Sequence, residues 1–160
     1  MKSIPLARAI ALLTPLLLLG GAYASQYVGG LHPCDMCWWQ RYPHMAATPL
    51  ALLAYAMKGR PCVSALFAGL AGLAVGISGL IGLFHAGVEY GWWEGLTTCA
   101  TTMSHSDGQS MLDSIMAAKL VRCDVAPFTL FGISLAGFNA IFSLGGALLT
   151  ILLVRKWSQA

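Results

Sequence analysis

Two pairs of cysteines are the residues of this chain best suited to chemistry. Cys34 and Cys37 form a C-x-x-C motif, and Cys99 and Cys123 lie farther along the chain. A C-x-x-C motif alone is compatible with a redox pair, a metal site or a structural disulfide. Thiols outside a bacterial cytoplasmic membrane meet an oxidising compartment, where disulfides are the expected state. The fifth cysteine, Cys62, is expected to remain a reduced, small apolar side chain.

The residues around Cys37 favour a reactive thiolate. A helix is predicted to begin near Trp38, so Cys37 immediately precedes its N-terminus, whose partial positive charge stabilises a thiolate. Arg41 follows at i+4, on the same helix face one turn later. A cation there stabilises the thiolate and also an anionic oxygen of a bound acceptor. Because an arginine is costly at this depth in a membrane, we favour a functional role over simple snorkelling of the side chain.

The elements that position these thiols are membrane spans. Charged residues make up 9% of the 160 residues, where a soluble domain carries about 25%. Hydrophobic residues make up 58%, and the mean hydropathy is +0.72. This composition excludes a soluble globule and intrinsic disorder, and the dispersed basic residues exclude nucleic acid as a partner. Stretches of low charge predict spans over about 9–27, 38–57, 62–84 and 128–154.

The predicted fold class is therefore an all-α membrane protein, a four-transmembrane-helix bundle that forms one domain over residues 1–160. No alternating ten-residue strands suggest a barrel. Two outer loops cover about residues 28–37 and 85–127. In the third span, small residues at helical spacing, including Gly72-x-x-x-Gly76, predict close packing between helices.

The basic residues predict the orientation. Six of the nine Lys and Arg flank the spans on one side: Lys2, Arg8, Lys58, Arg60, Arg155 and Lys156. The positive-inside rule places both termini in the cytoplasm and both loops in the periplasm of a bacterial inner membrane. An alternative is a signal peptide cleaved after Ala24, which would leave three spans in the same orientation. We favour retention of the first span because its apolar run is close to span length.

The second outer loop carries a further predicted element. Ser110 and Asp113 have capping-box spacing, and apolar residues recur at helical intervals, which predicts a short amphipathic helix over Ser110–Val121. It either lies on the membrane surface or packs on the top of the bundle. Cys99 lies six residues past Trp93, an aromatic residue of the predicted outer boundary, and Cys123 lies five residues before Phe128. All four outer thiols therefore share a shallow layer, in which thiol–disulfide exchange requires no large motion.

Three further positions have more than one interpretation. His85 closes the third span at the same outer boundary as Arg41, and either flanks the same pocket or is an ordinary interfacial residue. Asn139, near the middle of the fourth span, predicts an interhelical hydrogen bond rather than a ligand contact. A zinc site is disfavoured by irregular spacing and by the oxidising compartment. Its candidate ligands would be His32, Cys34, Cys37 and His44.

At this point the motifs resemble those of a known family. Residues Pro33–Arg41 read PCDMCWWQR and resemble the PCxxCxxQR signature of the disulfide bond formation protein B (DsbB) family. Phe84–Glu89, Cys99, Cys123 and the segment Phe131–Asn139 agree with the second half of the family pattern. The resemblance covers the whole chain. It implies a protein-dithiol:quinone oxidoreductase that reoxidises a periplasmic, DsbA-like thioredoxin-fold dithiol oxidase and passes two electrons to ubiquinone or menaquinone.

The resemblance also implies a role for each site residue. Cys99 would accept attack by the partner's thiolate. Cys123 would then exchange with Cys34, and Cys37 would face the quinone. Two further residues would contact the quinone, Arg41 and His85, of which His85 is matched only approximately.

Two other classes of protein compete with this interpretation. Quinone–thiol enzymes of the vitamin K epoxide reductase type run towards reduction, but they place the C-x-x-C motif near the last span, whereas here it follows the first. A non-enzymatic membrane protein would use the cysteines only in structural disulfides. Transport is disfavoured because no acidic residue lies within a predicted span.

Overall fold

The computed structural model describes residues 3–96, 100–102 and 119–159, and these are mainly helical. The long helices are α1 (Ser3–Tyr27), α2 (Asp35–Ala56), α3 (Pro61–Glu89) and α4 (Leu135–Ser158). The short strands are β1 (Ala100–Thr102), β2 (Lys119–Val121), β3 (Thr129–Leu130) and β4 (Ile133–Ser134).

Three of these helices, α1, α3 and α4, are long and apolar enough to cross a membrane. The remaining helix, α2, has 22 residues and is about 33 Å long at 1.5 Å per residue. Its N-terminal half carries the polar residues Gln40, Arg41 and His44. The length of α2 therefore suits a membrane span, whereas its composition does so less well. A membrane protein with three candidate spans and a fourth helix is thus established, while the crossing by α2 stays a prediction.

Two predicted helix boundaries are wrong for local reasons. The second helix begins at Asp35 rather than near Trp38, because the Cys34 side chain caps it by accepting a hydrogen bond from the Cys37 backbone N–H. The last helix begins at Leu135 rather than Phe128, because β3 and β4 pair as a hairpin before it. Cys37 therefore lies inside the first helical turn rather than in front of it.

The hairpin turn consists of Phe131 and Gly132, both at positive φ, 52° and 77°. Such angles define the primed turns that match the twist of a two-residue β-hairpin. The hydroxyl of Tyr90, at the end of α3, fastens the hairpin because it donates to the Gly132 carbonyl and accepts from the Ser134 N–H. The apolar sequence of this segment conceals the turn, which explains the misplaced boundary.

The helix predicted over Ser110–Val121 is wrong at its C-terminal end. Its last three residues form β2, which pairs antiparallel with β1 so that Ala100 faces Val121. Backbone pairing across the loop outweighs a helical pattern only about three turns long, which is marginal by itself. Residues 110–118 of the predicted helix lie outside the described residues, as does Cys99.

Small residues allow the helices to pack closely, as predicted. A Cβ on Gly82 of α3 would lie 2.9 Å from Asn139 Nδ2 and 3.1 Å from the Ala136 carbonyl oxygen of α4. The buried cluster at the centre of the bundle is also composed largely of alanine: Ala11, Ala47, Ala51, Ala71, Val75 and Ala147. Close backbone contact of this kind is what holds membrane helices together in the absence of a hydrophobic driving force between them.

Candidate active site

The two thiols of the C-x-x-C motif form a hydrogen-bonded pair at the N-terminal end of α2. Cys34 Sγ lies 3.0 Å from Cys37 Sγ and donates to it. The hydrogen bond to Cys37 and burial together raise the pKa of the Cys34 thiol. Cys37 lies in the first helical turn, where unpaired backbone N–H groups stabilise negative charge. The geometry therefore favours a neutral thiol on Cys34 and a thiolate on Cys37.

Cys123 packs in the same cluster as Cys34. Both residues are buried in one cluster with Met36 and Val88, and Cys37 packs against that cluster. Cys34 also forms a side-chain hydrogen bond with Cys123. Three of the four cysteines predicted to be catalytic are thus brought together, in the order Cys123, Cys34, Cys37. The fifth cysteine, Cys62, lies in the first turn of α3 and is exposed. It is at the end of α3 that is remote from the other cysteines.

Arg41 is buried rather than snorkelling, with 6% of its surface exposed. Its Nη1 donates to Gln26 Oε1 at 2.5 Å, and its Nη2 donates to the Ala22 carbonyl oxygen at 3.1 Å. The guanidinium lies between two aromatic rings, 5.0 Å from the centroid of Tyr23 and 4.9 Å from that of Trp38. These contacts fix its position without neutralising its charge. Among the described residues no carboxylate forms an ion pair with it.

A cavity of about 220 Å³ lies beside this arginine, between α1, α2 and the start of α4. Its apolar lining includes leucine and alanine side chains of α1 and α4. Its polar lining residues are Ser25, His32, Cys37, Gln40, Arg41, His44 and Asn139. An apolar chamber bordered by a thiolate and by the guanidinium of Arg41 suits a flat, apolar ligand that carries polar oxygens.

His85 lies among the thiols and does not line that cavity. Its ring is 1% exposed, so it is not an ordinary interfacial residue. Nδ1 lies 2.8 Å from Gln40 Nε2, while Nε2 lies 3.2 Å from the Cys123 carbonyl oxygen and 3.6 Å from Cys34 Sγ. It borders instead a second, outer cavity of about 500 Å³ together with Cys34, Cys37 and Glu89.

Asn139 forms the interhelical hydrogen bonds that the sequence predicts. Its Nδ2 donates to Gln40 Oε1 at 2.8 Å and to the Ser78 carbonyl oxygen at 3.2 Å, while its Oδ1 lies 3.0 Å from His44 Nε2. A polar network therefore links α2, α3 and α4 directly beneath the thiols. Sequence reasoning gave no role to Gln40 or Ser78, although isolated polar side chains within apolar stretches are the usual signal of such networks.

Glu89 is a further site residue to which the sequence analysis gave no role. It lies one turn after His85, and its Oε1 is 3.7 Å from His85 Nε2. Its other oxygen, Oε2, is buried and has no hydrogen-bond partner among the residues that the structure describes. The i+4 spacing from a histidine at a span boundary is the sequence signal that could have identified it.

The ligand atoms of Cys34, Cys37 and His85 lie within 4.8 Å of one another, the spacing of a metal site. The zinc set weighed from the sequence is a different one. Of its histidines, His44 is turned towards Asn139, and His32 contacts the Gly30 carbonyl oxygen. The set of four ligands is therefore not assembled.

The apolar helices and the adjacent cysteines Cys123, Cys34 and Cys37 define a membrane protein of thiol–disulfide chemistry. The chain belongs to the DsbB family, since the family model for disulfide bond formation protein DsbB matches residues 5–153. No curated protein and no solved structure gives a significant match to the chain. Family membership identifies an oxidoreductase that acts in disulfide bond formation in a membrane.

Proposed function

We propose that this protein is a quinone-coupled dithiol oxidase that reoxidises a thioredoxin-fold disulfide donor. The observation that carries the proposal is the row Cys123, Cys34, Cys37, which ends at the cavity beside Arg41. Cys123, at one end of the row, belongs to the second loop. Cys37, at the other end, borders the apolar cavity, which suits a lipid-soluble ligand. Such an arrangement suits the transfer of electrons from a protein dithiol to a lipid-soluble acceptor.

The first half of the proposed cycle is thiol–disulfide exchange. A thiolate of the partner attacks Cys99 of a Cys99–Cys123 disulfide, and Cys123 leaves as a thiolate. Cys123 then attacks Cys34 of the Cys34–Cys37 disulfide, and Cys37 leaves as a thiolate beside Arg41. The partner's second thiolate attacks its mixed disulfide with Cys99, so the partner's disulfide forms and Cys99 leaves as a thiolate. Cys99 attacks Cys123 and displaces Cys34, so that Cys34 and Cys37 together hold the two electrons. The pairing of Ala100 with Val121 supports a Cys99–Cys123 disulfide, because Ala100 follows Cys99 directly and Val121 lies two residues before Cys123.

The second half of the cycle takes place at the cavity beside Arg41. A bound quinone supplies a two-electron acceptor that takes up two protons as it is reduced. The residues fit such a group because the walls are apolar while Cys37 and Arg41 lie together on one side. Cys37 would present its thiolate to a quinone held in the cavity, and Arg41 would stabilise the negative charge that develops there. The Cys34–Cys37 disulfide would form again as the two electrons leave the thiols. Apolar side chains of α1 exclude water from the site.

The remaining assignments follow from charge and family. The thiols are proposed to face the periplasm of a bacterial inner membrane, with both termini in the cytoplasm. The partner is proposed to be a DsbA-like oxidase, and the electron acceptor is ubiquinone or menaquinone from the membrane pool.

The direct test is a purified-component assay. The protein in detergent is mixed with a reduced thioredoxin-fold dithiol protein and short-chain ubiquinone, and the quinone absorbance is followed. We expect the absorbance to fall only when all three components are present. A quinone that stays oxidised, while the same preparation binds the dithiol protein, would refute the proposed function.

A further inference from the structure

The orientation of two buried amides is fixed by backbone carbonyls. Gln40 Nε2 lies 3.1 Å from the Met36 carbonyl oxygen, and Asn139 Nδ2 lies 3.2 Å from the Ser78 carbonyl oxygen. A carbonyl oxygen only accepts, so both of these atoms are the amide nitrogens. Gln40 Oε1 in turn accepts from Asn139 Nδ2 at 2.8 Å. Rotating either side-chain amide by 180° would place its oxygen against a carbonyl oxygen, so both orientations are determined.

This orientation determines where His85 carries its proton. One N–H of Gln40 Nε2 is directed to Met36, and the other meets His85 Nδ1 at 2.8 Å. Because a donor faces Nδ1, that nitrogen must accept, and the ring proton resides on Nε2. The Nε2–H group faces three acceptors, of which the Cys123 carbonyl oxygen is nearest at 3.2 Å, followed by Cys34 Sγ at 3.6 Å and Glu89 Oε1 at 3.7 Å.

The position of the ring proton on His85 Nε2 also disfavours metal binding by Cys34, Cys37 and His85. A histidine that ligates a metal through Nε2 donates its Nδ1–H to an acceptor. Here the Nδ1 partner is itself a donor, namely the amide nitrogen of Gln40. The arrangement suits a histidine whose Nε2–H donates to Cys123 and Cys34.

We propose that His85, held in its Nε2–H form by Gln40, is a positioning residue that seats Cys123 against Cys34. This inference rests on the proposed function, in which these two cysteines exchange. In that step a Cys123–Cys34 bond forms, the Cys34–Cys37 bond breaks, and the electron pair leaves with Cys37. A hydrogen bond to the Cys123 backbone carbonyl holds the attacking residue without engaging its sulfur. The neighbouring Cys34 sulfur lies within reach of the same N–H.

The test requires no quinone and no partner, so its failure and the failure of the proposed function are distinguishable. In a background with Cys62→Ser and Cys99→Ser, the three remaining thiols are equilibrated in glutathione buffers. Acid quenching, alkylation and peptide mapping then give the ratio of the Cys34–Cys123 disulfide to the Cys34–Cys37 disulfide. The side-chain changes compared in this background are His85→Phe, His85→Gln and Gln40→Glu.

We expect His85→Phe to lower this ratio about three- to tenfold, the effect of one hydrogen bond. His85→Gln retains a donor near the Nε2 position and should preserve most of the ratio. Gln40→Glu should lower the ratio as His85→Phe does, because a carboxylate draws the ring proton to Nδ1. This variant leaves the imidazole in place, so it also tests the idea if His85→Phe does not fold.

Three outcomes would overturn the inference. An unchanged ratio in folded His85→Phe would show that the histidine does not seat Cys123. If His85→Phe and His85→Gln lowered the disulfide ratio equally, His85 would contribute only the packing of its ring. An unchanged ratio in Gln40→Glu would show that the amide does not govern the proton position.

Discussion

Cys34 caps the helix that carries Cys37 and also donates to its sulfur. The Cys37 backbone N–H lies 3.3 Å from Cys34 Sγ, and the two sulfur atoms are 3.0 Å apart. One thiol thus completes the helix N-terminus while it stabilises negative charge on the other. The two members of the motif are chemically unequal before any ligand or partner arrives.

This inequality predicts different alkylation behaviour of the two thiols. In the reduced protein, iodoacetamide at neutral pH should modify Cys37 first, because only thiolates react. The pKa of Cys34 is raised by its hydrogen bond to Cys37 and by burial, so its modification should require a higher pH than an ordinary cysteine does. Mass spectrometry of peptides after short exposures at several pH values measures both rates. Faster modification of Cys34 at neutral pH would contradict the assignment.

The buried cation predicts a specific kinetic defect. Arg41→Ala removes the charge from the cavity wall and should raise the KM for quinone about tenfold or more, with a smaller effect on the reaction with the partner. Arg8→Ala is the matched control, because Arg8 donates to Ser64 Oγ at the other end of the bundle. Steady-state assays with varied quinone measure both variants. Wild-type quinone kinetics in Arg41→Ala would leave the arginine with no role beyond its contacts to Tyr23 and Trp38.

Close packing of α3 on α4 predicts a sharp contrast between two glycines. In Gly82→Ala the new methyl group would meet Asn139 Nδ2 at 2.9 Å and backbone atoms at 3.1 Å. We expect the free energy of unfolding in micelles to fall by about 1–3 kcal/mol. In Gly69→Ala nothing lies within 4 Å of the new atom, so stability should be unchanged or slightly higher. Equal effects of the two substitutions would refute the packing argument.

The sequence predicted the bundle because composition and charge patterns act over whole spans. It predicted the interhelical bond of Asn139 because an isolated polar side chain in lipid requires a partner. It did not predict that His85 would lie with the thiols rather than beside Arg41. Helix boundaries alone cannot specify the rotation of α3, which places His85 between Gln40 and Cys123.

The errors at segment ends have a common physical origin. Short-range pattern signals compete there with single tertiary contacts. The Cys34 cap lengthens α2, the Tyr90 hydroxyl fastens the hairpin before α4, and pairing with Ala100–Thr102 draws Lys119–Val121 into a strand. These contacts leave no periodic pattern in the sequence, whereas the apolar spans next to them do.

The division of labour among the cysteines predicts a split phenotype for Cys37→Ser. This variant should lose quinone reduction entirely but still form the Cys99–Cys123 disulfide and a mixed disulfide with the partner. Stopped-flow quinone absorbance and non-reducing electrophoresis measure the two activities. Cys62→Ser should match wild type in both, since that thiol is exposed at the opposite end of α3. Undiminished quinone reduction in Cys37→Ser would remove this cysteine from the path.

The most direct test of the account is an anaerobic count of electrons. Oxidised protein is mixed with excess reduced thioredoxin-fold dithiol and a limiting amount of ubiquinone, and both products are measured. The account predicts one partner disulfide formed for each quinol produced, with only the protein's own disulfides consumed when quinone is omitted. Continued disulfide formation without quinone, or quinol formation without partner oxidation, would contradict the claim that the cysteines pass electrons from protein thiols to a membrane quinone.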